Sequence, residues 1–229
     1  MNKLVLVRHG ESIWNKENIF TGWVDVPLSE KGIEQAKEAG EVLKENGFTF
    51  ELGFTSILLR AQTTIELILS QMHVSIPVER SWRLNERHYG ALQGQNKDEV
   101  KKQYGEEKYL QWRRGYSVRP PDKNPETSYA YQEVGNGNAP MAESLEDTEK
   151  RLLPYWQKSI LPELKKGKNV IIVAHGNSLR ALVKTIDNIE PENMPEIEIP
   201  VAQPIIYDLD DNCSFVRHYY LDKNLSCNF

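Results

Sequence analysis

The sequence predicts an α/β fold: a three-layer α/β/α sandwich with a mostly parallel central sheet and an irregular excursion at the candidate active site. Three observations point there. Leu4-Val5-Leu6-Val7 and Val170-Ile171-Ile172-Val173-Ala174 are unbroken apolar runs, the pattern of strands buried on both faces. Between such runs lie longer segments with apolar residues at helical spacing, and strands alternating with helices make a parallel sheet covered on both sides. Both runs stop at a His-Gly pair, His9-Gly10 and His175-Gly176. Strands of one parallel sheet bring their carboxyl ends to a single rim, which is where open α/β sheets bind ligands.

The elements follow in order. Residues 11–22 read as a loop carrying Trp14, Asn15 and Thr21-Gly22. Ser29 is an N-cap with Glu30 in the first turn, and Ile33, Ala36, Gly40 and Leu43 recur at helical spacing until Asn46-Gly47 stops the helix. Leu52–Ser56 is a short strand, running into a helix from Leu58 to about Met72, and Ile76–Glu79 reads as a third strand. Residues 84–97 are irregular and dense in polar side chains, which favours function over simple linkage. Asn96 with Glu99 caps a helix that ends at Gly105, and a second short helix carries Trp112-Arg113-Arg114. Residues 119–140, rich in Pro, Asn, Gly and Tyr, read as a surface excursion. Ser144 with Asp147 opens a helix placing Leu145, Leu152, Tyr155 and Trp156 on one side, and 165–168 is a turn. After the second His strand, Leu179, Leu182, Val183 and Ile186 form one helical stripe, and Ile205–Leu209 with Ser214–Tyr220 reads as a hairpin around Asp210-Asp211-Asn212.

At 229 residues the chain reads as one large domain, 1–229, or a domain with a sizeable insertion. A chain of this size buries roughly 70% of its unfolded surface. A net charge of −5 argues against a general nucleic-acid binder but leaves room for a local arginine cluster around a small anion. No apolar run approaches the ~18 residues of a membrane span, and no signal peptide opens the chain, so a cytoplasmic location is expected. Cys213 and Cys227 lack metal-ligand spacing and read as reduced thiols, with a disulfide between them as the alternative.

The groups that would gather at the rim are His9, His175 and Glu86 with Arg8, Arg60, Arg87, Lys97, Arg113 and Arg114. Taken alone, Arg113-Arg114 reads equally as a solvated helix face and Glu86-Arg87 as a surface pair. Together they suit a phosphorylated ligand, because the guanidinium fork matches phosphate oxygens. The helix opened by Gly176-Asn177-Ser178 adds free N–H groups and a positive dipole end. A neutral imidazole at His9 is a competent nucleophile toward phosphorus. A protonated His175 would stabilise oxyanion charge, and Glu86 could pass a proton to the leaving oxygen. No metal is required. His73, His88 and His218 have no neighbours that single them out.

Arg8-His9-Gly10-Glu11-Ser12, Asn15, Thr21-Gly22-Trp23, Asn85-Glu86-Arg87-His88-Tyr89-Gly90-Ala91-Leu92, Trp112-Arg113-Arg114 and Ala174-His175-Gly176-Asn177-Ser178-Leu179-Arg180 resemble cofactor-dependent phosphoglycerate mutase, of the histidine phosphatase superfamily. The resemblance implies interconversion of 3-phosphoglycerate and 2-phosphoglycerate in glycolysis and gluconeogenesis, with 2,3-bisphosphoglycerate as primer and no metal. It makes His9 the phosphohistidine, Glu86 the proton carrier and His175 the transition-state stabiliser. It assigns Arg8, Ser12, Asn15, Thr21, Gly22, Arg60, Arg87, Tyr89, Lys97, Arg113, Arg114, Gly176 and Asn177 to phosphate and carboxylate binding. Its partners would be small phosphorylated three-carbon acids, and a homodimer or homotetramer is expected. Two departures bear on the balance between transfer and hydrolysis: the stretch after the last strand, 222–229, and the 119–140 excursion are both shorter than in many relatives. A histidine phosphatase or bisphosphoglycerate mutase/phosphatase is the alternative, although Ser12 weighs against the bisphosphoglycerate mutase branch. A non-catalytic phospholigand-binding module is a third reading, opposed by intact His9, Glu86 and His175.

Overall fold

The computed structural model describes residues 2–123, 134, 139–210, 214–221 and the backbone of 227–228. Its strands are β1 (Lys3–Arg8), β2 (Leu52–Thr55), β3 (Val78–Arg80), β4 (Val170–Ala174), β5 (Ile205–Leu209), β6 (Phe215–Tyr220) and β7 (Cys227–Asn228). They form one sheet in the order β3-β2-β4-β1-β5-β6-β7. The first four strands in that order are parallel, and β5, β6 and β7 extend the sheet antiparallel beyond β1. The parallel half carries the rim; the antiparallel half begins as the expected hairpin, whose Asp211 and Asn212 lie outside the described residues.

The helices are α1 (Ile13–Lys16), α2 (Glu30–Glu45), α3 (Leu59–Met72), α4 (Lys97–Tyr104), α5 (Glu106–Arg113), α6 (Leu145–Tyr155), α7 (Leu161–Lys165) and α8 (Gly176–Asp187). Strand side chains alternate between two cores, as a period of two requires. Val5, Val7, Ile171 and Val173 pack with Ala39, Val42 and Leu43 of α2 and Ile65 and Ile68 of α3. Leu4, Leu6, Val170 and Ile172 pack on the other face with Leu152 of α6, Leu164 of α7 and Leu179 and Leu182 of α8. Each such side chain contributes roughly 1.5–3 kcal/mol on burial, so the two apolar strand runs are fixed from both sides. This is the expected sandwich.

Local chemistry explains where the elements begin and end. Ser29 Oγ accepts from Gly32 N and Asn96 Oδ1 accepts from Asp98 N, while Ser144 and Asp147 form a reciprocal capping box. Three expectations shift. The 11–22 loop contains α1, one turn capped by Ser12. The third strand is Val78–Arg80 rather than Ile76–Glu79, because Pro77 has no N–H for the ladder and gives only its carbonyl, to Gly53 N. The helix from Ser144 continues past Tyr155 as a π-helical turn, Trp156–Ile160, into α7; Pro154 removes one backbone donor just before that turn. Most of the 119–140 excursion lies outside the described residues, as do Cys213, the side chain of Cys227 and residues 222–226 and 229. Among the described residues no helix is long and apolar enough to cross a membrane.

Candidate active site

Adjacent parallel strands in register place the two histidines side by side. Arg8 of β1 pairs with Ala174 of β4, and His9 N donates to Ala174 O across 3.0 Å. The imidazoles of His9 and His175 follow directly, with ring centroids 5.0 Å apart at 62°. The neighbouring β2 ends at the same rim, where Ser56 Oγ lies 2.7 Å from His175 Nε2.

The backbone fixes the tautomer of His9. Its Nδ1 lies 2.7 Å from Gly10 O, and a carbonyl only accepts, so Nδ1 carries the proton and Nε2 keeps its lone pair. Burial, then the charges of Arg60 and Arg8, hold the imidazole well below its ordinary range. His9 is thus a neutral base with one available nitrogen. His175 is also driven well below the ordinary range, by burial, then Arg60 and His9. Burial and the neighbouring cations thus work against the protonated His175 expected from the sequence.

Glu86 comes from the irregular loop. Its Oε1 accepts from Arg87 N at 2.8 Å and from Asn177 N at 3.0 Å, in the first turn of α8. Its Oε2 lies on the side of Gly176 and the Arg8 guanidinium, both within 4 Å of where a Gly176 Cβ would stand. The carboxylate is aimed by two backbone donors and sits beside the cations.

A cavity of about 190 Å³ opens on this group. It is lined by Arg8, His9, Asn15, Thr21, Gly22, Arg60, Glu86, Tyr89, Lys97, Arg113, Arg114, Gly176 and Asn177, thirteen of the residues expected from the sequence. Arg60 donates to Gly22 O at 2.7 Å and Val24 O at 3.0 Å, which folds the Thr21-Gly22 turn over the pocket. Asn177 Nδ2 donates to Tyr89 OH at 3.1 Å, and burial lowers the Lys97 ammonium from its ordinary range.

The other three expected residues stand behind the wall. His175 is buried against His9. Arg87 is fully buried and donates to Tyr89 OH and Arg113 O. Ser12 does not reach the cavity, because its hydroxyl accepts from Asn15 N and caps α1; it aims Asn15 instead. Sequence reasoning missed Ile19, Phe20, Arg180, Glu198, Ile199 and Pro200 in the lining. Arg180 donates to Asn177 Oδ1 at 2.9 Å, and Arg114 pairs with Glu198. Arg180 followed directly on the His-Gly-Asn-Ser-Leu motif, which was the available signal.

Arg8 Nε, Arg87 Nε and Nη1, and Arg180 Nε are buried without a partner among the described residues. Buried donors of this kind are normally satisfied, and those of Arg8 and Arg180 belong to residues that line the cavity. Among the described residues no group of three or more His, Cys, Asp or Glu side chains could hold a metal ion.

Known structures share this architecture. The mycobacterial glucosyl-3-phosphoglycerate phosphatase with bound VO3 is 25% identical, over 99% of this chain and all of that one, with a TM-score of 0.73. The Bacillus stearothermophilus protein YhfR is 26% identical, over 94% of this chain and 95% of that one, with a TM-score of 0.72. The alpha-ribazole phosphatase from Shigella flexneri, 22% identical over 99% and 100% of the two chains at a TM-score of 0.71, adds support for the fold alone. The model of the histidine phosphatase superfamily, branch 1, matches residues 4–222, and with its paired rim histidines the chain belongs to that superfamily.

Proposed function

We propose that the chain is a phosphohistidine-forming phosphoglycerate mutase, interconverting 3-phosphoglycerate and 2-phosphoglycerate. The observation that carries this reading is the number of cationic side chains lining the cavity beside His9. Arg8 and Arg60 suffice for one phosphoryl group, and Lys97, Arg113, Arg114 and Arg180 suit a second anionic group on the same small ligand. The primer the family resemblance implies, 2,3-bisphosphoglycerate, would find partners for its two phosphate groups and its carboxylate among these cations. When bound it would supply the phosphoryl group that charges His9.

The residues divide the work as follows. His9 Nε2 forms a bond to phosphorus while the bond from phosphorus to the departing oxygen breaks, and Glu86 gives that oxygen a proton. In the return step a substrate hydroxyl passes its proton to Glu86 and attacks phosphorus, and the P–N bond breaks. His175 and Arg60 would hold charge on the transferring oxygens, and a phosphoryl dianion beside His175 would favour its protonated form.

A second reading is hydrolysis, with water taking the phosphoryl group. The names of similar solved structures, which are phosphatases, favour it. Incubation with 3-phosphoglycerate and a trace of 2,3-bisphosphoglycerate separates the two. Formation of 2-phosphoglycerate without stoichiometric free phosphate supports the mutase; release of free phosphate from the labelled enzyme at a comparable rate supports the phosphatase.

A further inference from the structure

One buried ion pair outside the cavity grips the loop that carries Glu86. Arg151 of α6 and Glu143, just before that helix, are both almost fully buried. Arg151 Nε and Nη2 meet the two Glu143 carboxylate oxygens at 2.6 and 3.0 Å. Its remaining donors go to the loop backbone: Nη1 to Trp82 O at 3.1 Å and Arg83 O at 2.7 Å, and Nη2 to Asn85 O at 3.1 Å and Glu86 O at 3.2 Å. Glu143 Oε2 closes the frame by accepting from His88 N at 2.9 Å. The Trp23 indole, which also donates to Glu86 O, lies under the guanidinium at 5.4 Å.

Two carbonyls of the 3-10 turn Trp82–Leu84, two of the irregular loop that follows and the His88 amide are thus fixed by two side chains. Burying such a pair is a poor way to gain stability, since an apolar pair of the same shape is often as stabilising. What it provides is placement: the planar five-donor fork reaches four carbonyls and both carboxylate oxygens, the two N–H groups of Nη2 being shared among Asn85 O, Glu86 O and Glu143 Oε2.

We propose that Arg151, braced by Glu143, is a positioning residue for Glu86: it sets the place of that carboxyl relative to the departing oxygen. The proposal rests on Glu86 being the proton carrier and adds what aims it. Arg151 itself touches neither the cavity nor the reacting atoms.

The test compares leaving groups. Rates of His9 phosphorylation are measured with p-nitrophenyl phosphate, whose phenolate leaves without a proton, and with phenyl phosphate, whose departure depends on one. Wild type, Glu86→Gln and Arg151→Lys are compared, each shown folded by its unfolding midpoint. Glu86→Gln is expected to lower the phenyl phosphate rate about a hundredfold and the nitrophenyl rate far less. Arg151→Lys is expected to follow, widening the ratio of the two rates at least tenfold. Should Arg151→Lys not fold, Glu143→Gln, which keeps an acceptor for the guanidinium but loses its charge, takes its place with the same expected widening. An Arg151 or Glu143 variant that slows both esters equally, or leaves the ratio at the wild-type value, overturns the positioning role while Glu86→Gln still widens it. A Glu86→Gln ratio equal to wild type removes the acid role and the positioning proposal with it.

Discussion

At the scale of single residues, the site turns on one lone pair. The Gly10 carbonyl consumes the His9 Nδ1 proton, so nucleophilicity is assigned to Nε2 before any ligand arrives. His9→Ala should abolish acid-labile phosphoenzyme completely while leaving the unfolding midpoint near wild type, as rapid-quench labelling and thermal unfolding would show. The same residue predicts a pH profile. Burial with Arg60 and Arg8 lowers its pKa, so its base form is already full at pH 7 and persists as the pH falls below 6.5. The kcat/KM for phosphorylation reports the free enzyme. Measured with p-nitrophenyl phosphate, whose departure needs no proton from Glu86, and corrected for the ester's own second ionisation, it should show no acid limb at the ordinary histidine value. An acid limb centred on 6.5 would show that His9 titrates as an ordinary histidine and that the fixed tautomer is not what governs the rate.

At the scale of elements, the segment after His9 is held against α2 by backbone contact. A Cβ on Gly10 would stand 2.2 Å from Gly32 O, and one on Gly32 would stand 2.0 Å from Glu11 O. Ser29 Oγ, the α2 cap, also donates to Glu11 Oε1 at 2.8 Å. Gly32→Ala must therefore part α2 from the nucleophile's own loop. It should destabilise by about 1–3 kcal/mol in urea unfolding and also slow His9 phosphorylation at least tenfold. Gly40→Ala, whose Cβ would meet Ile68 O of α3 at 2.7 Å, is the control: a comparable loss of stability with the labelling rate kept within threefold. The capped elements were legible because Ser29, Asn96, Gly105 and Ser144 write their boundaries into local chemistry. The short turns were not: α1 and the π-helical turn at Trp156 depend on what they pack against, which no local pattern carries.

At the scale of the whole molecule, the rim was legible because each half of it is a contiguous motif, and parallel register does the rest. Arg151 was not, since an arginine within a helix reads as a solvated charge until the fold buries it; Arg180 and His88 stand within the quoted motifs but show their roles only once buried, with His88 Nδ1 accepting from Gly90 N. These buried bases have a consequence for stability. His88 is lowered to about 3, by burial first, then Lys123 and Arg151, and His9 and His175 are also lowered. In the unfolded chain each returns to about 6.5. Above that pH neither state binds these protons and stability is complete. Below it the unfolded chain takes up protons that the folded chain refuses, so stability falls as the pH drops. For His88 the fall continues toward pH 3, at a limiting slope of about 1.4 kcal/mol per pH unit. Between pH 6.5 and 5 the histidines act almost alone: Asp147, lowered to about 2 though burial works against the Arg119 and Ser144 bonds, loses its contribution only below the ordinary carboxylate range. Urea unfolding at pH 7.5, 6.5, 5.8 and 5.0 should therefore show a steady decline. His88→Gln, whose amide oxygen can still accept from Gly90 N, should make that decline shallower by up to about 1.4 kcal/mol per pH unit. An unchanged slope in that variant would mean that His88 is protonated in the folded chain after all.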